Sequence, residues 1–171
     1  MSLSVFIHRI DATLPLPKYE SSGAVGFDLI TRETTVIEPG KIALVPGNVI
    51  VKVPEGYALL IIPRSSLPRK KALVCPHSIG VIDCDYHGEK DEVMVQVQNI
   101  SDQPVTVERG ERIAQGMFVK VEKAQWEEVG PSTGSTELVL SQPKDSLQAG
   151  SGQVGHGKET RGGFGSTGTH A

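Results

Sequence analysis

The chain has 171 residues, 38% of them hydrophobic, and a formal net charge of -3 at pH 7. That length suits one domain plus a tail, with a core large enough to fold alone. The charge excludes a broad basic field of the kind that holds bulk nucleic acid, so a phosphorylated ligand would need a local cluster of donors. At the N-terminus, MSLSVFIHRI carries Arg9 after its apolar run and lacks the layout of a secretory leader. No apolar run approaches the roughly 20 residues needed to span a bilayer. β-type runs follow at 5–7, 42–45, 49–53, 57–62, 93–97, 105–107 and 113–121. Turn chemistry separates them at Pro39-Gly40, Pro46-Gly47-Asn48, Pro54-Glu55-Gly56 and Arg109-Gly110. Within 93–97 the alternation sets Val93, Val95 and Val97 on one face and Met94 and Gln96 on the other, with Gln98 continuing the second. No stretch has sustained helical periodicity; one short helical turn is predicted after Ser66, because Pro68 is tolerated in a first turn. The pattern predicts an all-β domain over residues 1–130, a compact antiparallel barrel or jelly roll. Cys75 and Cys84 are too few for a disulfide scaffold. The expected location is the cytosol, or a nucleus.

Composition shifts near Gly130. Residues 131–157 are rich in Gly, Ser, Thr and Gln, with only Leu138-Val139-Leu140 apolar, and read as a flexible linker. The arm that follows, 158–171, contains Arg-Gly-Gly-Phe-Gly-Ser-Thr-Gly at 161–168, a glycine-dense segment with one large aromatic. Such a segment suits a mobile arm that closes over a ligand. It formally matches G-x-G-x-x-G, but no strand precedes it and no helix can follow, so a dinucleotide site is excluded.

Two segments carry candidate chemistry. Pro63-Arg64-Ser65-Ser66-Leu67 ends an apolar strand and offers a guanidinium, two hydroxyls and backbone N–H groups, the donors that phosphate oxygens require. The same pattern also describes an exposed strand end with a Ser cap. Residues 80–89, Gly-Val-Ile-Asp-Cys-Asp-Tyr-His-Gly-Glu, place Asp83 after the apolar pair Val81-Ile82, where packing could orient it as a general base. An Asp-rich turn reads equally well there. A calcium loop is excluded, since the twelfth position counted from Asp83 is Met94 and not Glu. Histidines 8, 77, 87, 156 and 170 show no paired metal spacing, and neither cysteine has a C-x-x-C partner.

In order along the chain, these segments resemble the five motifs of the trimeric dUTP diphosphatase (dUTPase) family. The motifs are Ala24-Val25-Gly26-Phe27-Asp28-Leu29, Pro63 to Leu67, Gly80 to Gly88, Gly110-Glu111-Arg112-Ile113-Ala114-Gln115, and Gly163-Phe164-Gly165-Ser166-Thr167-Gly168. The resemblance implies a β jelly roll that trimerises with active sites shared between subunits. It implies Mg²⁺-assisted attack of water on the α-phosphorus of dUTP, giving dUMP and pyrophosphate. This keeps uracil out of DNA and supplies dUMP for thymidylate synthesis. Carried over by motif, Asp83 is the general base and Gln115 helps hold the attacking water. Arg64, Ser65 and Ser66 meet the phosphates, and Tyr86 packs on the deoxyribose and excludes a 2′-hydroxyl. Backbone groups of a strand pair formed by Gly80, Val81 and Ile82 and by the chain about Met94 read the uracil edge. Phe164 stacks on the base with Gly165 and Ser166 beside it, and Asp28 supports the site through waters. Mg²⁺ is held mainly by phosphates and waters, so no direct protein ligands are expected. Neither membrane nor direct nucleic-acid binding is expected.

Four departures stand out. Ser66 takes the place of a more usual Gly. His77 stands where many members have Asn near the base. The stretch from Asp83 to Asn99 is a few residues longer than usual, so the tip 89–92 of an expected hairpin should protrude. Glu159 occupies the usual place of the tail Arg, leaving Arg161 or Lys158 to reach the γ-phosphate. Two rival functions compete with this one. A dCTP deaminase, or a bifunctional deaminase–diphosphatase, of the same fold needs a Glu three residues before Asn99, where this chain has Gln96. A non-catalytic nucleotide- or partner-binding domain would not need Asp83, Gln115, Tyr86 and Phe164 together.

Overall fold

Period-two patterning carries through to an all-β structure. The computed structural model describes residues 3–128, so the expected linker and arm lie outside it. The elements in chain order are β1 (Phe6–Arg9), β2 (Phe27–Leu29), β3 (Thr35–Ile37), β4 (Ile42–Pro46), β5 (Val49–Lys52), β6 (Tyr57–Pro63), α1 (Leu67–Lys71), β7 (Leu73–Val74), β8 (Gly80–Ile82), β9 (Met94–Asn99), β10 (Val105–Val107) and β11 (Ala114–Lys120). Pairing is antiparallel throughout, in sheets ordered β1-β5, β10-β3, β2-β11-β6-β8 and β4-β9-β7. This is the jelly-roll-like arrangement expected. Residues 122–128 belong to a second unit and are irregular and exposed.

Each predicted run falls on a strand. The alternation holds through Val93 and β9: Val93, Val95 and Val97 are buried, whereas Met94, Gln96 and Gln98 are only half-buried. The core joins these valines to Leu59 and Ile61 of β6, Ile37 of β3 and Val107 of β10. The helical turn also forms where predicted, with Ser66 as N-cap and Leu67 buried. It ends at Ala72, whose φ of 50° lies in the left-handed region.

One contact fixes how β2 meets β11. A Cβ on Gly116 would lie 2.4 Å from Phe27 Cζ and 3.1 Å from Leu59 Cδ1, so the Phe27 ring occupies the space that glycine leaves. Gly116 is paired with Phe27, which places the next pair, Gln115 and Asp28, directly opposite one another. Gly116→Ala is therefore expected to overpack this point and cost about 1–3 kcal/mol. The urea midpoint should fall relative to Gly23→Ala, where an added Cβ meets nothing within 4 Å. Equal midpoints for the two variants would show that Phe27 can swing aside.

Candidate active site

Asp28 is the centre of the first cluster. It lies in the middle of β2 and is 2% exposed, a position an ionised carboxylate holds only when paired. Cross-strand pairing brings Gln115 opposite it, and Gln115 Nε2 donates to Asp28 Oδ1 at 3.0 Å. Arg64 follows β6, which is hydrogen-bonded to the other edge of β11, and its backbone N–H donates to Ile113 O at 3.0 Å. Its Nη1 lies 3.4 Å from Asp28 Oδ2. Arg112 Nη1 donates to the same oxygen at 3.1 Å and to Glu20 Oε1 at 2.7 Å. A polar cleft of about 370 Å³ lies beside this cluster, lined in part by Lys18, Asp28 and Arg112. Ser65 is exposed next to Arg64, and the Ser66 side chain makes no capping bond to α1. Three of the sequence motifs thus converge on one buried carboxylate. The contacts from Asp28 to Arg64 and Gln115 are direct.

The second cluster surrounds β8. Gly80 lies close against its neighbours: an added Cβ would be 3.2 Å from Ile61 Cβ and 3.6 Å from His77 Nε2. His77 is exposed, with Nδ1 3.8 Å from Cys75 Sγ. Ile82 is buried, but Val81 is 58% exposed, because alternation along the strand turns it away from the core. Asp83 stands exposed one residue past β8, and its carbonyl accepts the Tyr86 N–H at 3.3 Å. The Tyr86 ring packs against the core, and its hydroxyl donates to Glu92 O at 3.2 Å. Burial, followed by the nearby Asp91 and Glu92 carboxylates, pushes this phenol above the ordinary tyrosine range. Tyr86 therefore stays a neutral donor through physiological pH.

The two clusters do not meet within one chain. Ile82 pairs with Leu59, so Asp83 is level with Ala58, whereas Gln115 pairs with Ile62 on the opposite edge of β6. That offset is four residues, about 14 Å along the strands, together with about 10 Å across two strand spacings. A base and the groups that would hold its water and phosphates cannot cooperate over that span.

The dUTPase family model matches residues 12–147. The chain belongs to the dUTPase family. A deoxyuridine 5′-triphosphate nucleotidohydrolase of Streptomyces avermitilis is 36% identical over 169 residues, covering 99% of this chain and 83% of the relative. The corresponding protein of Glaesserella parasuis is 39% identical over 129 residues, covering 74% of this chain and 83% of that one. Among solved structures, the dUTPase of Streptococcus mutans superposes with a TM-score of 0.65 at 38% identity, over 70% of this chain and 98% of that one.

Two local expectations for this dUTPase need correction. Strands β8 and β9 do not pair with each other: β8 joins β6, while Met94 of β9 is opposite Pro46 of β4. The connection from Asp83 to Met94 therefore crosses between sheets and does not close a hairpin. Nor does its tip protrude as a whole. Glu89 and Lys90 are exposed, but Asp91 and Glu92 are 6% and 9% exposed. Glu92 is held by Arg32, whose Nε and Nη2 each donate to one of its oxygens at 3.0 Å. This pair spans sixty residues, and neither partner has a local sequence signal. Arg161, Phe164, Gly165 and Ser166 lie outside the described residues.

Proposed function

We infer that this dUTPase-family chain hydrolyses dUTP to dUMP and pyrophosphate, in sites built between copies of itself. The observation that carries the shared-site reading is the sheet register. Arg64, Gln115 and Asp28 gather at one end of β6, and Asp83 stands at the other. A complete site then needs Asp83 from one chain and the Asp28 cluster from another. Repeating such a head-to-tail contact closes a ring, and the family resemblance makes it a ring of three.

In this mechanism the Asp83 carboxylate takes a proton from the attacking water, which the Gln115 carboxamide helps position. Asp28 keeps Arg64 in place by charge and orients Gln115 through its other oxygen. Arg64, Ser65 and Ser66 hold the phosphates and stabilise charge on the departing pyrophosphate. Tyr86 fills the space that a ribose 2′-hydroxyl would need. Uracil lies against the backbone of Gly80, Val81 and Ile82, with His77 nearby. Phe164, supported by Gly165 and Ser166, closes over the base and excludes water, and Arg161 or Lys158 reaches the γ-phosphate. Among the described residues no group of three or more His, Cys, Asp or Glu could hold a metal ion. The donors present instead suit Mg²⁺ carried by the triphosphate and its waters. When bound there it supplies charge neutralisation on the phosphate oxygens. A deaminase of this fold is disfavoured, since Gln96 of β9 is a carboxamide and cannot act as a base.

Incubation with dUTP and Mg²⁺ should release pyrophosphate and dUMP, with little turnover of UTP or dCTP. Release of ammonia from dCTP, or no turnover of dUTP, would overturn this reading. Tyr86→Ala should narrow the gap between dUTP and UTP, because discrimination by exclusion falls when the excluding ring is removed. An unchanged ratio of kcat/KM would remove Tyr86 as the sugar gate.

A further inference from the structure

The lengthened connection between Asp83 and Met94 carries Tyr86, and its far end is held unusually firmly. Glu92 Oε1 accepts the Arg32 Nε–H at 3.0 Å and the Asn48 backbone N–H at 2.9 Å, while Oε2 accepts Arg32 Nη2 at 3.0 Å. Both carboxylate oxygens are thus engaged at a residue 9% exposed. The neighbouring backbone is fixed by the turn between β4 and β5: Gly47 N donates to Val93 O at 2.9 Å, and Val93 N donates to Val49 O at 2.8 Å. This turn comes so close that a Cβ on Gly47 would lie 2.6 Å from Val93 O. Asn48, at φ 67°, is itself tied to Asp11 through both ends of its carboxamide. Arg32 reaches the same turn through its backbone, donating from N to Pro46 O at 2.9 Å.

We infer that Arg32 and Glu92 form a positioning pair for sugar discrimination, acting through the Glu92 carbonyl that accepts the Tyr86 hydroxyl. The inference rests on reading Tyr86 as the residue that excludes a 2′-hydroxyl. A partly buried ion pair adds little stability compared with apolar packing of the same volume. Its distinctive property here is direction. A bidentate guanidinium grip fixes the Glu92 side chain in position and angle. The Glu92 carbonyl is then a fixed acceptor, and the hydroxyl bonded to it holds the Tyr86 ring at one depth. Discrimination by a wall depends on the wall's position to within a fraction of an ångström, so a looser anchor should admit UTP. Both side chains act through Tyr86.

The test measures kcat/KM for dUTP and UTP in the full-length oligomer. Glu92→Gln keeps the shape and the backbone carbonyl but weakens the grip; Arg32→Lys keeps the charge but loses the fork. Tyr86→Phe removes the anchoring hydroxyl and leaves the ring, so it tests the link even if an ion-pair variant fails to fold. Each is expected to lower the dUTP-to-UTP ratio by about tenfold, equal to about 1.4 kcal/mol. The combination of Glu92→Gln with Tyr86→Phe should fall no further than either alone. A merely structural pair would lower both substrates' rates together and leave the ratio intact. The inference is overturned if folded Glu92→Gln and Tyr86→Phe keep the wild-type ratio while Tyr86→Ala lowers it. If Tyr86→Ala itself leaves the ratio unchanged, the sugar-gate reading fails and this inference fails with it.

Discussion

Replacing Asp83 by Asn is expected to lower kcat for dUTP by about 10²–10⁴-fold, the usual worth of a positioned general base. The amide keeps the shape of the carboxylate but cannot take the proton from water. Asp83 is exposed and stands one residue beyond β8, while the adjacent Ile82 supplies the burial that anchors the strand end. The fold should therefore tolerate the change within about 0.5 kcal/mol, as at most surface positions. Binding of a non-hydrolysable dUTP analogue should be nearly unchanged, so the loss should appear in kcat and not in affinity. Turnover within about tenfold of wild type, a difference of only about 1.4 kcal/mol, would remove Asp83 from the role of base. A matching loss of thermal stability would instead point to a structural role.

The legible parts of this chain were those where the signal is local. The valines of β9 alternate because one face meets the core, and seven of the strands could be read from such runs. The motifs around Arg64 and Asp83 could be read because each gathers chemistry-bearing residues within a few positions. β2 was not legible as a strand: it is three residues long, has an Asp at its centre, and follows Gly26. Asp is disfavoured in strands unless something pays for it. Here Gln115, Arg64 and Arg112 do so from positions more than thirty residues away in sequence. Long-range pairing likewise hid the Arg32–Glu92 contact, and it led the sequence reading to a protruding hairpin where the chain crosses between sheets. Val81 reads as core in a one-dimensional apolar run, but the strand's alternation turns it outward while its neighbour Ile82 goes in. What no single-chain pattern could show is the separation of the Asp28 cluster from Asp83. That depends on the register of β8 and β11 on either edge of β6.

That separation makes a mixing experiment decisive. Chains with Asp83→Asn keep Arg64, and chains with Arg64→Ala keep Asp83; each alone is expected to be nearly inactive, the first without its base and the second without its phosphate clamp. In one chain the two positions lie at opposite ends of β6, since Asp83 is level with Ala58 and Arg64 follows Pro63. The offset is about 20 Å along the strand at 3.3–3.4 Å per residue, too far for one α-phosphorus and its leaving group to touch both. If the site takes Asp83 from one chain and Arg64 from the next, co-refolding equal amounts should bring intact halves together in about a quarter of the sites of a random closed ring. Activity should then rise from near zero to a substantial fraction of wild type, and it should follow the mixing ratio, peaking at equal amounts. The Arg64→Ala chains also test the Asp28 cluster, because Asp28 keeps Gln115 and Arg112 as partners when Arg64 is lost and the fold should survive. A site contained in one chain gives no rescue, since every chain then lacks one of the two groups. Oligomers shown by mass to contain both variants, yet with no more activity than either parent, would defeat the shared site while leaving dUTP hydrolysis itself in place.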